Sequence, residues 1–294
     1  MNNTYENKKG CENVVSIGEA ASKQLKLMRQ VMDDPSYVQG IKTGFKKLDS
    51  AINGLKKGEL ILVCGRPGMG KTSFALSVVR NIYKHDLKRV LYFSPDMPTG
   101  QVANRILAME ASAGSWIDGG VPEKEEWDQL NSAMDKIKGC DFLIDDTPGI
   151  SIEEIRDRLI ELKKEGEIDL VIIDYLQLLS FEDPAKSRQQ AINLMTKRLK
   201  RLATKMDVPI MVLSQLSRIV ENREDHRPIL ADLREDSAID LFADTIIFLY
   251  RDDYYYDKSD DPYSTQAIVA KNRNGHSACV AELKWNPDNV RLED

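Results

Sequence analysis

The stretch ELILVCGRPGMGKTSFALSVV, residues 59–79, limits the folds open to this chain more than any other part of the sequence. An apolar run comes first, a glycine-rich loop follows, and the apolar residues after the loop have helical spacing. Gly65, Gly70, Lys71 and Thr72 fit the pattern G-x-x-x-x-G-K-[ST]. Such a unit predicts a phosphate-binding P-loop, because the glycines let backbone N–H groups face phosphate oxygens. A glycine-rich turn without a ligand is the alternative, and the flanking strand and helix argue against it.

Specific roles within the loop follow from the chemistry of its side chains. Lys71 is expected to neutralise the β- and γ-phosphates, and the Thr72 hydroxyl is expected to bind Mg²⁺. The positive end of the helix that begins near Lys71 adds to the attraction for phosphate. ATP and Mg²⁺ are therefore the predicted cofactors. The predicted ATP-binding residues are Gly65, Arg66, Pro67, Gly68, Met69, Gly70, Lys71, Thr72 and Ser73.

Strand and helix patterns alternate from residue 40 onward. Continuous apolar strands between helices predict an α/β fold with a mostly parallel central sheet and helices on both faces. The last strands follow one another without helices, which predicts an antiparallel edge near the C-terminus. The acidic, tyrosine-rich stretch 251–262 is predicted to be an exposed loop. The predicted strands are 59–64, 89–94, 141–144, 169–174, 208–213, 244–250, 265–270 and 278–285, and the predicted helices are 15–34, 71–84, 99–112, 123–138, 151–165 and 188–206.

Three polar residues that follow predicted strands are further candidates for catalysis. Asp174 ends the apolar run LVIID and is expected to hold the magnesium shell, although an aspartate there could instead cap a helix. Asp96 follows the second strand and is the candidate carboxylate that polarises the attacking water. Gln215 follows a later strand, where its amide is placed to sense the γ-phosphate.

Composition narrows the class of protein. The 294 residues suffice for one large α/β domain with an appended segment. No run approaches the roughly 18 apolar residues of a membrane span, and the N-terminus lacks the apolar core of a signal peptide. Four scattered cysteines without metal-ligand spacing favour reduced thiols in a cytoplasmic protein. The net charge of −6 argues mildly against general nucleic-acid affinity but leaves room for a basic channel.

The order of motifs resembles that of the C-terminal motor domain of DnaB-family replicative DNA helicases, which has a RecA-like P-loop NTPase fold. RadA-like and KaiC-like proteins share the P-loop and the aspartate, whereas the whole ordered series is specific to the DnaB family. The resemblance runs from about residue 15 to the C-terminus. The matching segments are TGFKKLDSAINGLKKGELILV (43–63), GRPGMGKTSFAL (65–76), DDTPGISIEEIR (145–156), DLVIIDYLQLL (169–179), VPIMVLSQLSR (208–218), RPILADLREDSAI (227–239), ADTIIFLYRDDYY (243–255) and AKNRNG (270–275).

The resemblance implies an ATP-hydrolysing helicase motor that forms hexameric rings and translocates 5′ to 3′ on single-stranded DNA. ATP would be bound between subunits. Lys271 and Arg273 match the pair that reaches the neighbour's ATP, with Arg273 as the arginine finger, a role that suits a planar and permanently charged guanidinium. A surface lysine and arginine in a hairpin turn are the alternative. The predicted catalytic residues are therefore Lys71, Asp96, Asp174, Gln215, Lys271 and Arg273.

DNA contacts and partners are also implied by the resemblance. Arg234, Glu235, Asp236 and Ser237 match the loop that faces single-stranded DNA in the central channel, with contacts mainly to the sugar–phosphate backbone. The start of the helix at 188–206 is a candidate for a second DNA loop, although its basic residues also fit a solvated helix face. A helicase loader and a primase are candidate partners, and no membrane association is expected.

Three parts are predicted along the chain. Residues 1–14 are expected to be disordered, 15–39 to form a linker helix and connection, and 40–294 to form the RecA-like motor domain. The helix at 15–34 resembles the linker helix that docks on the adjacent subunit, and packing on its own domain is the alternative. The family's N-terminal domain has no counterpart in this sequence, which fits either an isolated domain or a naturally short protein.

Two substitutions within the motifs keep a second function open. The family has glutamate where this chain has Asp96, and a carboxylate misplaced by about 1 Å can cost on the order of 100-fold in rate. The family has glycine where Ser237 stands, and Asp236 adds a negative charge near the expected phosphate path. The alternative to a motor is thus a nucleotide-binding ring or assembly module with weak or lost hydrolysis. The motif order argues against a third hypothesis, a recombination or clock-type ATPase.

Overall fold

The computed structural model describes residues 15–34, 37–85, 88–111, 121–181, 186–236, 239–256 and 263–294. These residues fall into two units, one that ends at Gln39 and one that spans Gly40–Asp294. The predicted disordered segment 1–14 lies outside the described residues. Within the described ranges, no helix has the length and apolar content that crossing a membrane requires.

The first unit contains helix α1, Ile17–Asp33, which confirms the helix predicted at 15–34. Ser16 begins it with a capping box, in which the Ser16 hydroxyl accepts from the Glu19 N–H and the Glu19 carboxylate accepts from the Ser16 N–H. None of the residues of α1 is buried. Its role as a linker helix stays a prediction.

The second unit is built on one twisted sheet with the strand order β3-β2-β4-β5-β1-β6-β7-β8-β9 among the described residues. The strands are β1 Leu60–Gly65, β2 Val90–Phe93, β3 Phe142–Asp145, β4 Leu170–Ile173, β5 Ile210–Gln215, β6 Thr245–Tyr250, β7 Ser264–Asn272, β8 Cys279–Asn286 and β9 Arg291–Glu293. The helices are α2 Lys46–Ile52, α3 Lys71–His85, α4 Thr99–Ala111, α5 Lys124–Ile137, α6 Ile152–Leu162, α7 Arg188–Met206 and α8 Ala231–Asp236. Short 3-10 helices lie at Leu176–Leu178, Arg218–Asn222, Ile239–Leu241 and Asp252–Tyr254.

The pairing of the strands confirms the predicted α/β class. β3, β2, β4, β5, β1 and β6 are parallel, and β7, β8 and β9 continue the sheet as antiparallel strands. All six residues of β1 are buried, because helices cover both faces of the sheet. Val63 packs in one core with Phe74 of α3, and Leu62 packs in the other with Leu199 of α7.

Three short elements were not predicted from the sequence. Helix α2 spans only seven residues, and Leu48 and Ile52 fix it to the core. Helix α8 and strand β9 are shorter still, and such lengths give too few residues for a period to show. The predicted exposed loop at 251–262 is wrong at its start, since Asp252–Tyr254 forms a 3-10 helix and Tyr255 stacks on His226 at 4.4 Å between ring centres. Residues 257–262 lie outside the described residues.

Candidate functional site

The predicted phosphate-binding loop connects the end of β1 at Gly65 to the start of α3 at Lys71. Gly68 and Gly70 have φ values of +82° and +79°, a region that favours glycine. The Met69 side chain is 1% exposed and packs in the core below the loop. Met69 therefore anchors the loop, and only its backbone remains available for the ATP contact predicted at this position.

A cavity of about 470 Å³ lies beside the loop. Its size is within the range of small-molecule sites. Five of the seven predicted catalytic and metal-binding residues line it: Lys71, Thr72, Asp96, Asp174 and Gln215. Pro67, Gly68, Gly70 and Ser73 of the predicted ATP-binding set line it as well.

Lys71 occupies the centre of the loop. Its ammonium Nζ donates to the backbone carbonyls of Gly65 at 2.9 Å and Arg66 at 3.0 Å. Burial lowers the pKa of Lys71 to about 8, and the nearby Asp174 carboxylate opposes that shift. An ammonium that is withdrawn from water and faces a cavity is suited to an anionic ligand such as phosphate.

Asp174 directly follows β4, whose four residues are all buried. The Thr72 hydroxyl donates to Asp174 Oδ2 at 2.8 Å, and the Tyr92 hydroxyl donates to the same oxygen at 2.7 Å. Burial raises the pKa of Asp174, while these two hydrogen bonds and Lys71 work in the opposite direction. The predicted alternative, a helix cap, receives no support because the carboxylate faces the cavity.

Thr72 and Asp174 fit the hard-oxygen chemistry of Mg²⁺, which protein sites bind through one or two side chains together with water and phosphate oxygens. Their oxygens lie 2.8 Å apart, at the bottom of the cavity. No group of three or more His, Cys, Asp and Glu side chains arranged for a metal ion occurs among the described residues. A site of this kind therefore depends on the nucleotide to complete the coordination.

Gln215 ends β5 and pairs with Gly65 in the neighbouring strand. Gln177 holds this strand end, because its amide donates to Ser214 Oγ at 3.0 Å and to the Gln215 carbonyl at 3.1 Å. The Gln215 side chain stays exposed at the cavity. Asp96 is also exposed, on the opposite rim after β2. Both predicted positions are thus accessible to a ligand in the cavity.

Six further residues line the cavity that the sequence did not indicate. Arg251 directly follows β6 with its guanidinium bound to Asp253, and Trp285 comes from the antiparallel edge. They approach the phosphate-binding loop only through the folding of distant strands, so no local pattern could have found them. The six residues are Arg105, Tyr175, Arg251, Thr265, Trp285 and Leu292.

Lys271 and Arg273 lie far from this cavity. Lys271 pairs with Ile246 and Asn272 with Thr245, and Thr245 pairs with Ile61 near the start of β1. The cavity lies at the other end of β1. Lys271 and Arg273 therefore lie near the opposite ends of the strands, about 13 Å away along the strand direction. Lys271 Nζ donates to the carbonyls of Asp240 and Ala243, and Arg273 Nη2 donates to the carbonyl of Leu241.

The predicted DNA-binding residues Arg234, Glu235 and Asp236 form the end of helix α8, whereas a loop was predicted at these positions. Ser237 lies outside the described residues. A second cavity, of about 430 Å³, is lined by Asp232 of α8 together with Arg188, Gln215 and Ser217. DNA binding at these positions stays a prediction.

Comparisons with known proteins show the family of this chain. The family model described as DnaB-like helicase C terminal domain matches residues 40–294. The Replicative DNA helicase DnaB of Geobacillus stearothermophilus is 39% identical over 240 residues, which is 81% of this chain and 53% of that protein. The Replicative DNA helicase DnaC of Bacillus subtilis (strain 168) is 39% identical over 256 residues, which is 86% of this chain and 56% of that protein. This chain therefore spans a little more than half the length of these relatives.

Two solved structures share the fold. One is described as the ATPase domain of G40P, with 31% identity and a TM-score of 0.86 over 96% of this chain and 99% of that chain. The other is described as a DnaB-like replicative helicase and its interactions with primase, with 31% identity and a TM-score of 0.84 over 96% of this chain and 67% of that chain.

Proposed function

Because this chain belongs to the DnaB-like helicase C-terminal domain family, we propose that it is the ATP-driven motor of a replicative-type DNA helicase. One observation carries the proposal. Lys71, Thr72 and Asp174 line one cavity at the carboxyl ends of the parallel strands, and the cations Lys271 and Arg273 lie near the opposite strand ends. We expect neither group of residues alone to hydrolyse ATP rapidly. Two copies placed head to tail would bring the cavity of one copy next to Lys271 and Arg273 of the other.

The cavity on one copy binds and orients the nucleotide. Lys71 neutralises the β- and γ-phosphates, and the P-loop N–H groups contact their oxygens. Thr72 and Asp174 would hold Mg²⁺, which supplies charge neutralisation at the phosphates when bound. Asp96 accepts a proton from the attacking water, and Gln215 contacts the γ-phosphate side. Arg251 and Trp285 close the outer part of the cavity.

The second copy supplies the remaining charge. Arg273 from that copy stabilises the negative charge that develops on the transferred phosphoryl group, and an arginine finger is worth about 10³–10⁵ in rate. Head-to-tail contacts of this type are heterologous and generate rings when the rotation closes. A hexameric ring with single-stranded DNA along its axis, contacted by Arg234–Ser237, and translocation from 5′ to 3′ are the arrangement that the family suggests. Primase and a helicase loader are the partner classes that such a ring would meet.

Steady-state ATP hydrolysis and strand separation test the proposal together. Hydrolysis by the purified chain is measured against protein concentration, with and without oligothymidylate, and unwinding is measured on a fluorescent forked duplex. We expect hydrolysis to rise with concentration and with DNA, and the fork to separate only when ATP is present. The Lys71→Ala variant is the control and should do neither. Tight ATP binding without turnover at any concentration would contradict the motor and support an assembly module.

A further inference from the structure

Two ion pairs connect the phosphate-binding loop to the first turn of α8. The first begins at Arg66, whose side chain turns away from the cavity. Its Nε and Nη2 donate to Glu221 Oε1 at 3.0 and 2.8 Å, and its Nη1 donates to the Leu216 carbonyl at 2.8 Å. The Arg66 side chain is only 12% exposed. The loop is therefore fastened to the segment that directly follows Gln215.

The second ion pair joins Arg223 to Asp232. Arg223 Nη1 donates to Asp232 Oδ1 at 2.8 Å, and Nη2 donates to the other carboxylate oxygen and to the Arg227 carbonyl. Asp232 is 2% exposed and also accepts from the Ile229 N–H at 2.7 Å. Bidentate, charge-assisted bonds to a buried carboxylate fix the orientation of both partners. Asp232 lies in α8, two residues before Arg234.

A short rigid turn joins the two ion pairs. Glu221 belongs to the 3-10 helix Arg218–Asn222, and Arg223 is the residue that ends it. Val220 in the same 3-10 helix is 1% exposed and packs in the core, so it anchors the turn. Because Glu221 and Arg223 are two residues apart on this anchored turn, a displacement of one carries the other with it. Arg66, Glu221, Arg223 and Asp232 are thus linked by two ion pairs and the backbone of this turn, and the four residues are named here the Arg66–Asp232 relay.

The loop end of the relay contacts Lys71, the residue expected to bind phosphate. The Arg66 carbonyl accepts a hydrogen bond from the Lys71 ammonium at 3.0 Å. Phosphate competes for the same ammonium, so the forces on the Arg66 peptide differ between the free and the nucleotide-bound loop. A ligand shifts a conformational equilibrium only through such differential contacts.

We propose that Glu221 and Arg223 are positioning residues that couple nucleotide occupancy of the P-loop to single-stranded DNA binding at the end of α8. This inference rests on the proposed function, because it requires DNA to bind there. Such coupling is a free energy that has the same size in both directions, so it is measured as a ratio of affinities.

The test measures the affinity for a fluorescein-labelled oligothymidylate by anisotropy, with and without a slowly hydrolysed ATP analogue and Mg²⁺. The ratio of the two dissociation constants is the coupling. We expect Glu221→Gln and Arg223→Lys to bring this ratio at least about fivefold closer to one, while the DNA-free ATPase rate keeps its wild-type value. Glu224→Gln is the matched control, because it removes the same charge from an exposed position in the same segment, and it should leave the ratio unchanged.

The possible outcomes separate this inference from the function on which it rests. A merely structural role would lower thermal stability and leave the ratio intact, which overturns the relay. If the wild-type ratio is far from one and both variants keep it, the relay is overturned, but the proposed motor function is not. A wild-type chain that binds no oligothymidylate overturns both. In a double-mutant cycle, Arg66→Gln combined with Glu221→Gln should bring the ratio no closer to one than Glu221→Gln alone. Additive effects of the two substitutions would contradict a shared path.

Discussion

At the scale of single residues, we propose that the carboxylate of Asp96 limits the rate of ATP hydrolysis. It stands on the cavity rim where the resemblance places a glutamate, and the shorter side chain holds its carboxylate about 1 Å farther back. We expect Asp96→Glu to raise kcat by up to about 100-fold, and Asp96→Asn to lower kcat by about 10²–10⁴. Nucleotide affinity, measured by a fluorescent analogue, should change little in both. Equal kcat values in wild type and Asp96→Asn would exclude Asp96 as the base.

Gly68 offers a second prediction at the same scale. Its φ is +82°, and a Cβ atom added there would lie 2.7 Å from Tyr254 Cε2. Gly70 has a similar φ, +79°, but a Cβ atom there meets nothing within 4 Å. Both alanine variants should lose about 1–2 kcal/mol of unfolding free energy through backbone strain, and Gly68→Ala about 1 kcal/mol more because the Tyr254 ring has to leave its rotamer. Urea unfolding measures the difference, and adding Tyr254→Ala should remove only the second part.

At the scale of secondary-structure elements, Glu110 ties α4 to α3. Its carboxylate contacts Arg80, accepts from the Tyr83 hydroxyl at 2.9 Å and lies 3.3 Å from Lys84. Burial raises the pKa of Glu110, but the Arg80 guanidinium, Tyr83 and Lys84 outweigh it and leave the pKa below its ordinary value. A depressed pKa means that the carboxylate stabilises the fold above the unfolded-state pKa, and that this stability is lost as pH falls through the folded-state pKa.

Glu110→Gln should therefore cost about 3 kcal/mol of unfolding free energy at neutral pH, because the Arg80 charge would stay buried without its partner. The difference from wild type should shrink as the pH falls below about 4. Glu165→Gln is the control, since this carboxylate is 66% exposed beside Arg89 and should contribute less than about 1 kcal/mol. A loss for Glu110→Gln that is independent of pH would contradict the ion-pair account.

The elements also show what the sequence could and could not predict. The apolar strands and the P-loop could be predicted because a local sequence pattern identifies each of them. Asp174 could be predicted because it directly follows a buried strand. Trp285 and Arg251 could not be found, since β8 of the antiparallel edge and the end of β6, both distant in sequence from the P-loop, bring them to the cavity. The Arg66–Glu221 pair was also hidden, because 155 residues separate its partners.

At the scale of the whole molecule, the sheet places Arg273 and the phosphate-binding loop at opposite ends of its strands. Arg273 pairs through its backbone N–H with the Asp244 carbonyl, and Asp244 in turn donates to the Leu60 carbonyl at the start of β1. Gly65 and the phosphate loop are at the far end of the same strand. The Arg273 side chain is half-exposed near the start of β1 and is therefore accessible to a neighbouring copy. The central claim is that ATP is hydrolysed between copies of the chain.

Subunit mixing tests this claim most directly. Lys71→Ala and Arg273→Ala are each expected to abolish ATP hydrolysis, while Arg156→Ala, an exposed arginine paired only with its neighbour Asp157 among the described residues, should hydrolyse ATP as wild type does. In an equal mixture of the first two variants, about a quarter of the head-to-tail interfaces combine an intact Lys71 with an intact Arg273. We predict that the mixture regains about that fraction of the wild-type rate. A mixture as inactive as its components, or an Arg273→Ala variant with the wild-type rate, would contradict a site shared between copies.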